Sequence, residues 1–139
     1  MKLDFKTAFQ AAKVPAFVLV VLTIVGLLFA FFGILSVPIQ LAILTYAGYN
    51  GVTKFKLDLA NGALAGAIAS FLSMIFTTAA AFVQYLSGDA SQKAIYAQAG
   101  ISSEALAIYM LVGALTMLIV SPVIGLVFGA IGAYIAKRK

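Results

Sequence analysis

VPAFVLVVLTIVGLLFAFFGILSVPIQLAILTYAGYNGVT, from Val14 to Thr53, runs for 40 residues without an Asp, Glu, Lys or Arg. As a single helix it would extend about 60 Å, roughly twice the hydrocarbon thickness of a bilayer. The run therefore has to fold back. Its interior breakers lie together at Gly33-Ile34-Leu35-Ser36-Val37-Pro38, where glycine and proline interrupt a helix. The expected turn falls there, with one span over residues 14–33 and a second over 37–53.

Two more charge-free blocks follow, Leu59–Gly88 and Ala105–Ala136. The first is one span, 59–86. The second has 32 residues and makes either one helix of about 48 Å or two short ones broken at Pro122. Charge decides between them. With the N-terminus inside, one last span puts Lys2, Lys6, Lys13, Lys54, Lys56, Lys137, Arg138 and Lys139 on the cytoplasmic side and leaves only Lys93 outside. Two last spans would carry the terminal Lys-Arg-Lys outward, against the positive-inside tendency. The last span is thus 104–136, kinked at Pro122, with Ser121 helping to satisfy the backbone groups that the proline frees.

Composition agrees with lipid as the main solvent. The 139 residues are 64% hydrophobic and 9% charged, whereas a soluble domain carries about a quarter charged residues. The net charge of +5 comes from lysines flanking apolar blocks and forms no patch suited to nucleic acid. The expected fold is an all-α integral membrane protein of one domain, residues 1–139. It is a four-transmembrane-helix bundle in the cell membrane with both termini cytoplasmic. Lys2 to Lys13 followed by an apolar run resembles a secretory signal, but the segment is expected to be retained as the first span.

The flanks add detail. Over residues 2–13, Phe5, Ala8, Phe9 and Ala12 share one side of a helical wheel beside Lys2, Lys6 and Lys13. This predicts a short N-terminal interfacial helix, with Pro15 in the first turn of the following span. The outer loop, residues 87–103, could hold a short helix over 90–99, and Ser102 is the expected N-cap of the last span, ahead of Glu104. Tyr49 and Tyr134 sit at the inner edge and Tyr85 and Tyr109 at the outer one, as interfacial anchors.

Small residues recur every four positions. Gly62, Gly66 and Ser70 line one side of the third span; Ser121, Gly125, Gly129 and Ala133 do the same on the fourth. Lipid tails are as apolar as leucine, so helices associate in a bilayer through close backbone contact, which glycine at this spacing permits. Both stripes lie towards the cytoplasmic half, at the depth of Gly48 and Gly51 on the second span. Tight packing of spans two, three and four is expected there; the alternative is that one stripe faces another protomer. A shared spacing also appears: Pro38, Gly48 and Lys54 against Pro122, Gly132 and Lys137. Two matched positions in so simple a background carry no repeat on their own.

Ala47-Gly48-Tyr49, Asn61-Gly62-Ala63-Leu64-Ala65-Gly66-Ala67 and Gly129-Ala130-Ile131-Gly132-Ala133-Tyr134 resemble the pattern of a family of small glycine-rich four-helix membrane proteins, found mainly in archaea and without an assigned activity. The resemblance covers about a third of the chain. It implies a topology and supplies no active-site residues.

Function is narrowed mainly by what the spans lack. No Cys and no His are present, which removes thiol and imidazole chemistry and the usual transition-metal ligands. Asp4, Asp58, Asp89 and Glu104 all fall outside the spans or at their edges, so serines at membrane depth have nothing to activate them, and proton coupling lacks its carboxylate. No cofactor is expected. The expected function is non-catalytic: an accessory or structural subunit that works through helix packing, with the lipid bilayer and a membrane-protein partner or further copies of itself as partners. The alternative is a small passive channel or transporter whose polar path would include Gln40 and Gln84. Small four-helix fluoride channels, similar in glycine and phenylalanine content, often insert in both orientations, which needs a weak charge bias; the bias here is strong.

Overall fold

The structure, a computed structural model, describes residues 3–28, 30–87 and 97–138. It is all-helical, with α1 (Phe5–Leu28), α2 (Ala30–Phe55), α3 (Leu59–Leu86) and α4 (Ser103–Lys137) in chain order. Three of these helices are long and apolar enough to cross a membrane, over Phe5–Gly26, Leu59–Val83 and Glu104–Lys137. In α2 the apolar run is interrupted by Gln40, Thr45, Tyr46, Tyr49 and Asn50.

Two boundaries differ from expectation. Residues 5–13 form no separate interfacial element; they are the first turns of α1, and Pro15 lies inside that helix. The reason is a face of small side chains that continues across the proline. Ala8, Ala11, Ala12, Pro15, Ala16 and Leu19 are all buried, so the lysine-flanked turns pack on the bundle along the same line as the rest of α1. The turn expected over Gly33–Pro38 is also displaced: α1 stops at Leu28, and Gly33 and Pro38 both lie within α2. Proline is tolerated inside helices of membrane bundles because neighbouring groups take up the freed backbone bonds, so a breaker in the sequence need not mark the reversal.

The helices alternate in direction. Asp4 is bonded to Asn61 and Thr23 approaches Thr77, which sets α1 parallel to α3. Gly62 meets Ala133, Gly66 meets Gly125 and Ser70 meets Ser121, which sets α3 antiparallel to α4. Both chain ends therefore lie at one end of the bundle. The α3–α4 interface is the most extensive, α2 touches every other helix, and α1 and α4 do not meet among the described residues.

That end of the bundle is tied by two linked caps. Asp58 caps α3 by accepting from the Asn61 N–H at 2.8 Å, and the Asn61 carboxamide oxygen accepts from the Asp4 N–H at 2.7 Å. Asp4 in turn accepts from the N–H of Thr7 at 3.1 Å and from its hydroxyl at 2.7 Å. These bonds, the Thr7 N–H foremost, hold the Asp4 carboxyl below the usual carboxylate range. Between α2 and α3 the chain turns through Lys56 at φ 56°, and the Leu57 N–H donates to the Gly51 carbonyl at 3.1 Å. At the other end Ser102 forms the cap expected of it, accepting from the Ala105 N–H at 3.2 Å. The short helix expected over 90–99 falls largely outside the described residues.

Candidate functional site

Two features share the centre of the bundle: a junction where backbones touch and a polar cavity beside it. The junction is built from the glycine stripes. A Cβ on Gly66 would strike the Gly125 carbonyl oxygen and lie 2.7 Å from the Gly129 Cα. One on Gly48 would strike the Gly129 carbonyl and lie 2.8 Å from its Cα. Gly129 of α4 thus touches α2 and α3 at once. Gly62 completes the set, its hypothetical Cβ 2.7 Å from that of Ala133. Such approaches leave no room for a methyl group, and in a bilayer they are a principal source of helix association.

The α2–α4 crossing is reciprocal. Gly48 abuts the carbonyl of Gly129, and Gly132 abuts the carbonyl of Thr45. Each glycine meets the residue three positions before the other, the arrangement of a local two-fold axis between the helices. Gly48 and Gly132 are the glycines that follow Pro38 and Pro122 by ten residues.

Going away from the chain ends, Ser70 and Ser121 take over from glycine. Their hydroxyls lie 2.6 Å apart, and the Ser70 hydroxyl also reaches the Ser121 carbonyl at 2.8 Å. The Ser121 hydroxyl donates to the Ser70 carbonyl at 3.3 Å; it is spent across the interface and does not serve the backbone of its own helix at Pro122.

This pair forms the floor of a cavity of about 280 Å³, to which all four helices contribute. Its polar lining comes from Thr23 of α1, Ser36 and Gln40 of α2, Ser73 and Thr77 of α3, and the Ser70–Ser121 pair. Thr23 and Thr77 reach the carbonyls of Leu19 and Ser73, each at 3.0 Å, and their hydroxyls also lie 3.4 Å from each other, where either can donate. Gln40 reaches the Ser36 hydroxyl at 3.5 Å, a long contact. Among the described residues no ionisable side chain lines the space. An interior of hydroxyls and one carboxamide suits water or an uncharged hydrogen-bonding solute; a desolvated ion would find no counter-charge. Among the described residues no cluster of Asp and Glu could hold a metal ion.

No family model, no curated protein and no solved structure matches this chain. Function has to be argued from the geometry.

Of the residues singled out in the sequence, Gly48, Gly62, Gly66, Ser70, Ser121, Gly125, Gly129 and Ala133 are brought into one contact region. Gln40 is placed on the cavity wall, whereas the side chain of Gln84 lies outside the described residues. Ser36, which the sequence places only in the expected turn, and Ser73 join Gln40 on that wall. The signal that could have found them is the pairing of polar residues one helical turn apart, Ser36 with Gln40 and Ser73 with Thr77, on otherwise apolar helices.

Proposed function

We propose that this chain is a non-catalytic, four-span membrane protein with both termini on the cytoplasmic side, and that it serves as an accessory subunit through contacts of its helices with a partner membrane protein or with further copies of itself. The topology is supported by the positive residues gathered at the chain ends and at the α2–α3 turn, which share one end of the bundle. The absence of histidine and cysteine from the sequence supports a role without chemistry.

The observation that carries the subunit role is the state of α4. Its buried residues are Gly125, Gly129, Gly132 and Ala133; from Glu104 to Val120 none is buried. About 25 Å of apolar helix therefore leaves a wide face exposed, Ile108, Leu111 and Leu115 on it, while Leu106, Met110, Ala114 and Leu118 are only half-buried. Single cysteines placed along α4 test this cleanly, because the chain has no other thiol. Cross-linking in native membranes should peak with helical period on one face, for instance at Ile108, Leu111 and Leu115. Uniform lack of cross-linking, together with a monomer in mild detergent, would overturn the reading.

The cavity favours a second reading, a passive conduit for a small uncharged solute. Against it stands the junction: beyond the Ser70–Ser121 pair the backbones of α2, α3 and α4 touch at Gly48, Gly66 and Gly129. Solute flux through liposomes carrying the purified monomer would reverse the order of the two readings.

A further inference from the structure

A groove of about 540 Å³ opens between α1 and α3 near the end of the bundle that carries the termini. Its α1 wall bears Lys6, Phe9, Gln10 and Lys13; its α3 wall is apolar, with Phe71 and Leu72. Lys6, Gln10 and Lys13 follow one another at intervals of four and three residues, so they form one stripe along about 10 Å of helix. The apolar segment of α1 begins at Phe5, which puts the backbone of Lys13 about 12 Å into it. A cation at such a depth needs a counter-charge or a route to the headgroups. The side chain takes that route: its ammonium lies 5.5 Å over the ring of Phe9, turned back along α1 towards Lys6.

Among the described residues no carboxylate lines the groove. The acid beside its mouth, Asp4, has both oxygens engaged by Thr7. The groove thus joins two cationic side chains and an amide donor to an apolar slot on α3 that lies level with Lys13 and points towards the membrane interior. That is the distribution of charge and oil in a phospholipid.

We propose that this groove holds one anionic phospholipid, its phosphate between Lys6 and Lys13 with Gln10 as a further donor, and an acyl chain along Phe71 and Leu72. The site requires only that the bundle lies in a bilayer; it stands whether the protein is a subunit or a conduit.

Native mass spectrometry of the full chain, titrated with phosphatidylglycerol or with phosphatidylcholine of the same acyl chains, tests it. One phosphatidylglycerol should be retained per chain in preference to phosphatidylcholine. The double variant Lys6→Gln/Lys13→Gln should lose that preference, with a drop of roughly thirtyfold in apparent affinity. Lys54→Gln/Lys56→Gln removes the same charge outside the groove and should leave retention unchanged. Phe71→Ala should weaken retention while both lysines remain, and excess inorganic phosphate should not displace the lipid. Equal losses in the two lysine pairs would mean diffuse attraction to a basic end and would overturn the site. So would retention that survives the Lys6/Lys13 variant, or displacement by inorganic phosphate.

Discussion

Between Gly125 and Ala133, α4 lies so close to α2 and α3 that carbonyl oxygens occupy the places where side chains would begin. Between Glu104 and Val120 the same helix has no fully buried residue and is half-buried only at positions such as Leu106, Met110, Ala114 and Leu118, and a Cβ added at Gly113 would meet nothing within 4 Å outside its own stretch of helix. One residue type therefore does opposite things along one helix. At Gly129 the missing side chain is what allows contact; at Gly113 it removes helix propensity without making a contact inside this chain. The first half holds one glycine and the second three, Gly125, Gly129 and Gly132, and those of the second half meet small residues or bare backbone of α2 and α3.

The contrast is open to direct attack. Replacing Gly129 with leucine should have the largest effect, about 3 kcal/mol or more, because backbones on two sides would have to move; Gly129→Ala should cost about 1–3 kcal/mol. Gly113→Ala should instead stabilise by about 0.5–1 kcal/mol through helix propensity. Unfolding of detergent-solubilised protein followed by helical circular dichroism measures all three. Equal effects at the two positions would show that α4 is uniformly packed, and a loss at Gly113 would point to a partner seated there.

The serine pair sharpens the boundary between junction and cavity. Ser70→Ala and Ser121→Ala should each cost about 1 kcal/mol. The double variant should cost clearly less than their sum, since the second substitution removes a group the first has already orphaned. Additive losses would mean that the hydroxyls act independently, each with its own partner, and that the floor of the cavity is not a single unit.

The smallest effect expected is at the chain ends, where α1 is clamped to α3. The folded Asp4 carboxyl titrates below its ordinary value because the Thr7 N–H and hydroxyl bond to the ionised form. Its contribution is present above the unfolded-chain value, near pH 4, and is lost as pH falls through the lower folded value. Asp4 is fully exposed, so the change is a modest downward shift of the thermal midpoint on acidification. That shift should shrink in Asp4→Asn. An identical pH profile in the variant would mean that the Asp4 carboxylate contributes nothing to stability through Thr7, while the backbone bond from the Asp4 N–H to Asn61 would be untouched.

Some of this architecture could be read along the chain. The apolar blocks mark the helices because their burial in lipid depends on length and lack of charge, which are local properties. The four-residue spacing of Gly62, Gly66 and Ser70, and of Ser121, Gly125 and Gly129, places each stripe on one side of its own helix for the same reason. The first reversal does not fall at Gly33–Pro38, which lies within α2. Helix-breaking residues weigh on isolated helices, whereas membrane bundles tolerate them within a helix. Likewise the lysines of residues 2–13 suggest a helix lying flat, while the alanines among them pack against α2 and α3.

Sequence alone determined that this polypeptide is built from long apolar helices, which of their sides are thin, and that no imidazole or thiol is available to it. Only the tertiary structure decided that Gly48, Gly66 and Gly129 converge, and that Thr23, Ser36, Gln40, Ser73 and Thr77 enclose one space. It also decided that Lys6 and Lys13 share a groove with Phe71. Each of these depends on the rotation and sliding of one helix against another. Those degrees of freedom are set by the sum of many weak contacts across interfaces, and the periodicity of a single helix carries no record of them.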